Sequence, residues 1–242
     1  MRKTSVLKDA QVECALVVAA HPDDVDFLAS GTIARWTAGG MRVVYCIVTN
    51  GDAGGFDPDR ERAEVPVLRR EEQLAAAKVV GVDDVRFLGY VDGSVEVTTG
   101  LRCDLSRAIR QIRPRRVVMH SPEINWPWLP DFHPDHRATG EATLRAVYPD
   151  ARNAFAHPQL LRNEGLAPWT VEEIWMVGAP RPNHYVDVTG QFQLKMQALR
   201  AHVSQTAHAE DLEGTVRERL ARQADEAGRP GLAEAFHVVT TA

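Results

Sequence analysis

The chain has 242 residues, of which 44% are hydrophobic and 25% charged, enough to bury a sizeable core as one domain. A formal net charge of -5 gives no electrostatic attraction to phosphate backbones or anionic lipid, which excludes nucleic acid and membrane surfaces as expected partners. The three cysteines, Cys14, Cys46 and Cys103, are too few for a disulfide framework, and the first two lie in or beside apolar runs, as buried thiols do in a reducing compartment.

Taken in chain order, Ala15 to Ala20 is apolar along its whole length and reads as a strand buried on both faces. Leu28 to Ala38 follows with helical spacing and stops at Gly39-Gly40. Arg42 to Val48 is a second strand, closed by the turn chemistry of Thr49-Asn50-Gly51-Asp52. Helix then strand recur as Arg69 to Val80 and Val85 to Leu88, and again as Leu101 to Ile112 and Arg116 to His120. Beyond the loop from Ser121 to Phe132, a helix over Asp135 to Val147 and strands over Ile174 to Val177 and Tyr185 to Val188 are predicted. Thr189 to Val203 is predicted helical, and Glu210 to Arg229 is a solvated helix and turn.

This alternation predicts an α/β fold, a three-layer α/β/α sandwich with a Rossmann-like, mainly parallel sheet. A single domain over 1–242, with a small helical C-terminal extension over 205–242, is expected. The first eleven residues lack the apolar core of a secretory signal and no later stretch is apolar for long enough to span a bilayer, so a cytoplasmic location is expected. Homo-oligomerisation is left open.

Ligands in such sheets bind beyond the carboxyl ends of the strands, and His21-Pro22-Asp23-Asp24-Val25-Asp26 directly follows the first strand. Three carboxylates within four residues repel one another unless a cation compensates. Imidazole beside carboxylate suits zinc or iron better than the hard cations. His21 and Asp24, three apart in a turn, can face one point, leaving Asp23 to handle a proton. The plainer alternative is that Asp23 or Asp24 caps the following helix. A second cluster, Asp131-Phe132-His133-Pro134-Asp135-His136, argues against it: one histidine from here completes three protein ligands with a position left open.

Together, AHPDDVDF after the first strand and FHPDHRA about a hundred residues on resemble the PIG-L or LmbE-like family of zinc-dependent de-N-acetylases. Arg69 ahead of Glu72, the segment Phe87 to Gly93 and HVSQ at His202 to Gln205 fall in the family's order. The resemblance implies His21, Asp24 and His136 as metal ligands, Asp23 as general base, His133 as the cation that stabilises the oxyanion, and Asp135 as the group that orients His133. It also implies that Arg69 and Asp92 hold the substrate, usually a sugar conjugate, with Zn2+ as cofactor, Fe2+ or another divalent transition metal being able to replace it. Asp26 and Asp52 stand where glutamate is commoner in the family, and Asp131 where some relatives carry tyrosine.

The expected reaction is hydrolysis of an N-acyl amide, first of all an N-acetyl amide on an amino-sugar conjugate, with a non-acetyl amide of a sugar or thiol conjugate as the alternative within the same chemistry. Two rivals are a non-haem Fe(II) oxygenase, which fits the ligand types but belongs on all-β scaffolds, and a binding protein with a closed metal shell. His120 and His184 read as structural, His157, His208 and His237 as surface residues, and Trp126 and Trp128 as either sugar platforms or loop anchors.

Overall fold

The computed structural model describes residues 6–57, 59–127, 129 and 133–241; Trp128, Asp131 and Phe132 lie outside the described residues. Strands β1 (Cys14–Ala19), β2 (Arg42–Thr49), β3 (Asp84–Tyr90), β4 (Arg116–His120) and β5 (Glu173–Val177) pair in parallel in the order β3-β2-β1-β4-β5. Beyond β5 the sheet continues with β7 (Ala233–Thr240) and then β6 (His184–Asp187), both in antiparallel pairings, giving seven strands.

Alternation along β1 explains its unbroken apolar run. Ala15, Val17 and Ala19 face a core with Ile33, Trp36 and Tyr45, whereas Leu16 and Val18 face one with Leu101, Leu105 and Ile109. Helices α2 (Ser30–Ala38), α3 (Val65–Val79) and α7 (Phe192–Ala201) supply the first layer; α4 (Thr99–Ile112) and α5 (Pro134–Arg145) supply the second. Each fully buried side chain of this kind contributes about 1.5–3 kcal/mol. Strand order reverses between β1 and β4, so a crevice opens where both strands end, next to His21 and His120.

Two sequence expectations are corrected. The single helix predicted over Leu28 to Ala38 is two, α1 (Asp24–Leu28) and α2, broken at Ala29; likewise Thr189 to Val203 breaks into a 3-10 turn (Thr189–Gln191), α7 and, past His202, α8 (Val203–Thr206). The segment 205–242 is not simply a helical extension. Helix α9 (Leu212–Glu226) is there, but β7 follows it and lies inside the sheet between β5 and β6. A charged residue of β7, Glu234, ties it into the interior. Glu234 is buried, at 2.7 Å from Lys195 Nζ, and accepts the N–H groups of Gly31 and Thr32 at the start of α2.

Helix α5 seats against the end of β4 through Gly140, where an added Cβ would lie 2.5 Å from the carbonyl oxygen of His120. Gly140→Ala should therefore push α5 outward and lower stability by about 1–3 kcal/mol, as overpacking does. Urea denaturation checks this, and a wild-type midpoint would show that the helix yields without cost. A further α6 (Pro158–Arg162) precedes β5. Among the described residues, no helix is long and apolar enough to cross a membrane.

Candidate metal centre

Past Ala19 the chain turns sharply through His21 and Pro22 into α1. Asp23 holds φ +93°, a left-handed conformation that costs a non-glycine residue about 1–3 kcal/mol. It stands at the N-cap of α1 yet makes no capping bond with its side chain, so capping does not account for it. Asp24 bends back, its Oδ2 accepting the N–H of His21 at 2.7 Å.

Three donor side chains meet here. His21 Nδ1 lies 3.3 Å from His136 Nε2 and 3.4 Å from Asp24 Oδ2, and His136 Nε2 lies 3.0 Å from Asp24 Oδ1. Donors about 2.0–2.1 Å from a tetrahedral zinc stand about 3.3 Å apart, so the spacing and the donor types fit such an ion. On its far side His21 Nε2 faces Asp92 Oδ1 at 3.1 Å and Asp135 Oδ2 at 3.3 Å. Those carboxylates favour the proton on Nε2 and leave the Nδ1 lone pair to the centre, the usual arrangement behind a ligating histidine.

Electrostatics agree with a cation's place. Burial works against a charge on His21, yet Asp24, Asp135 and Asp92 outweigh it and push the imidazole up to about 12. Burial would likewise raise Asp24, but His136, His21 and His120 hold it well below the usual carboxylate range. Asp23 behaves oppositely: burial, only partly offset by Arg69, pushes its carboxyl up to about 6. A half-buried carboxylate held less acidic than its neighbour is suited to accept a proton.

Several expected roles change. The Asp135 carboxylate does not orient His133; its oxygens go to His21 and to the N–H groups of Gly93 and Val95, at 2.7 and 3.1 Å. What holds His133 is the backbone N–H of Asp135, donated to Nδ1 at 3.2 Å. That contact leaves Nε2 to carry the hydrogen. Burial, with His21 and His136 nearby, also lowers the His133 pKa, which works against the expected cation.

Arg69 was expected to hold substrate, but it is 3% exposed and donates to Gly51 O at 2.9 Å and Pro22 O at 2.6 Å. Its Nη2 is also 3.3 Å from Asp23 Oδ1, and Gly54 admits it, since a Cβ there would lie 2.2 Å from Nη1. Arg69 thus ties two loops together behind Asp23. Asp92 is buried too, between His21 and the N–H of Ala53.

His120, read as structural from the sequence, joins the centre: Nε2 is 3.2 Å from Asp24 Oδ2 and the ring stacks on His136 at 4.2 Å. Asp24, His120 and His136 form one donor group and His21, His133 and His136 another. Its place at the carboxyl end of β4, beside the strand-order reversal, was the available signal. His157 is not a plain surface residue; it is half-buried against Asp150 at 3.2 Å. His184 packs edge-on against Trp175, away from the centre, and Trp126 is 72% exposed.

A cavity of about 440 Å³ opens onto Asp23, Asp24 and His136, with Phe27, Val216 and Arg219 among its walls. A neighbouring one of about 360 Å³ shares Leu28, Arg219 and Arg222 with it. Open space therefore runs from Asp24 and His136 along α9.

Residues 16–147 match the family described as PIG-L: GlcNAc-PI de-N-acetylase, and the chain belongs to that family of metal-dependent N-deacetylases. It is 32% identical over 195 residues to the diacetylchitobiose deacetylase of Thermococcus kodakarensis, covering 80% of this chain and 70% of that protein. A probable N-acetyl-alpha-D-glucosaminyl L-malate deacetylase 2 of Bacillus cereus is 30% identical over 212 residues, covering 84% of this chain and 89% of the relative. Among solved structures, the N,N'-diacetylchitobiose deacetylase from Pyrococcus horikoshii, complexed with its inhibitor MPG, superposes with a TM-score of 0.88 at 27% identity, over 95% of this chain and 85% of that one. A hydrolytic enzyme on an α/β sandwich thus displaces the oxygenase and non-catalytic readings.

Proposed function

We propose that this chain removes the acetyl group from an N-acetylglucosamine conjugate, releasing acetate and a free amine, with zinc held by His21, Asp24 and His136. The observation that carries this reading is the meeting of three side chains, His21, Asp24 and His136, with pairwise donor distances of 3.0–3.4 Å, beside a half-buried carboxylate, Asp23, of raised pKa. The substrate class rests on the activities of the relatives, which include a diacetylchitobiose deacetylase and a probable N-acetyl-alpha-D-glucosaminyl L-malate deacetylase. A divalent cation bound by those donors would polarise the acetyl carbonyl and make water a stronger acid.

The chain's own groups do the rest. Asp23 takes a proton from water as the oxygen–carbon bond forms. His133, its Nδ1 held by the Asp135 N–H, presents Nε2–H to the oxygen on which negative charge gathers, where a preorganised donor helps most. As the carbon–nitrogen bond breaks, the proton on Asp23 passes to the departing amine, so water is consumed and acetate and amine leave. Asp92 and Asp135 hold the His21 ring, and the cavity toward α9 receives the rest of the conjugate.

The test is acetate release from diacetylchitobiose and from malate and inositol conjugates of N-acetylglucosamine, using protein of known metal content. Acetate and amine should appear in equal amounts, disappear on chelation and return with added Zn2+. No release from any of them by fully zinc-loaded protein would defeat the reading.

A further inference from the structure

A single helix grips both polar atoms of the peptide unit that precedes Asp23, and we infer that this grip, made by Arg69 and Gln73, positions the base. The carbonyl of Pro22 accepts from Arg69 Nη2 at 2.6 Å, and the N–H of Asp23 donates to Gln73 Oε1 at 2.9 Å. Arg69 and Gln73 stand four residues apart on α3, the spacing that places two side chains on one helical face. The helix therefore fixes the distance between the two contacts, and with it the plane of the peptide.

Such a hold has a physical reason. At φ +93° an aspartate lies outside the conformations it prefers, and its side chain makes no capping bond that would stabilise the turn from within. The constraint has to come from outside the loop. Gln73 is itself locked: its Nε2 donates to Asp26 Oδ2 at 3.0 Å, and the same oxygen meets His202 Nε2 at 2.8 Å. A carboxylate accepts only, so the amide must turn its N–H toward Asp26 and its oxygen toward Asp23. His202 sits at the break between α7 and α8. Two residues further on, Ser204 gives its N–H and hydroxyl to Glu72, the neighbour of Gln73 on α3, at 2.7 and 2.6 Å.

Gln73, Asp26 and His202 are all fully buried, so none of them meets a substrate. Gln73 is a positioning residue that acts through the backbone of Asp23, while Arg69 adds a direct contact to the carboxylate at 3.3 Å. The role of Asp26 follows from the same geometry: its carboxylate aims Gln73.

This inference rests on Asp23 being the base, and the test separates the two. In the metal-loaded enzyme, Gln73→Leu should lower kcat by about 10–100-fold, the range seen for groups that orient a functional residue, with KM and metal content unchanged. In the Asp23→Asn background the same substitution should change kcat by less than about twofold, because the group it positions is already gone. An equal loss in both backgrounds would show a general structural role and overturn the inference. Hydrogen exchange at the Asp23 amide gives a readout independent of activity: it should be slow in the wild type and at least about tenfold faster in Gln73→Leu, with β1 amides unchanged. Unaltered exchange would overturn the grip itself, whereas full activity of Asp23→Asn would overturn the base and leave the exchange result to judge the grip. Should Gln73→Leu not fold, Gln73→Asn keeps the carboxamide, shortens its reach by one methylene and is expected to behave the same way in both measurements.

Discussion

Asp23→Asn is expected to lower kcat by about 10²–10⁴-fold, the usual worth of a positioned general base, while metal content and thermal stability stay at wild-type values. The two side chains have the same shape, but an amide cannot take the proton that water must lose. Position 23 also tolerates the change unusually well, since asparagine is among the few residues that adopt positive φ readily. The N–H to Gln73 is a backbone group and survives the substitution. Loss of activity therefore reports chemistry, not misfolding. Steady-state acetate release together with metal analysis decides it; full turnover with metal bound would remove Asp23 from the mechanism.

His136→Ala should behave differently, losing metal and activity together. It removes one of three donors, the one that faces both His21 and Asp24, and so should weaken metal binding by more than the about 10–100-fold typical of groups that only orient a ligand. Thermal denaturation offers a reading without substrate. A ligand that binds only the folded protein at a hundred times its Kd stabilises it by about 2.7 kcal/mol, which for a domain of this size raises Tm by about 5–11 °C. Zn2+ should produce that rise in the wild type and in Asp23→Asn, and little or none in His136→Ala. A full rise in His136→Ala would mean that the ion is held elsewhere.

Much of this centre is legible in the sequence because each half is local. HPDD and HPDH each follow a recognisable strand or a loop leaving one, and the alternation of strands and helices brings both to one end of the sheet. What is not legible depends on partners far along the chain. The interior strand β7 carries Glu234, a charge that fits there only because Lys195 from α7 pairs with it. The family resemblance implies that Asp135 orients His133, yet helix α5 turns the carboxylate toward His21 and the amides that follow β3. His120 has no motif around it and gains a role only from the adjacency of β4 to β1. Gln73 carries no signal beyond its place one turn after Arg69, and its task is visible only once the left-handed turn at Asp23 is known.

The contacts between β7 and the beginning of α2 also set a clock on assembly. The N–H of Gly31 and the carboxylate of Glu234 that receives it are 203 residues apart. At about 5–20 residues per second, a ribosome needs roughly 10–40 s to make the stretch between them. Throughout that interval the growing chain carries the HPDD turn without the strand that anchors α2. A deacetylase built this way gains its organised centre late in synthesis, and a chain stopped before β7 would carry every proposed ligand yet lack the scaffold that holds them in register.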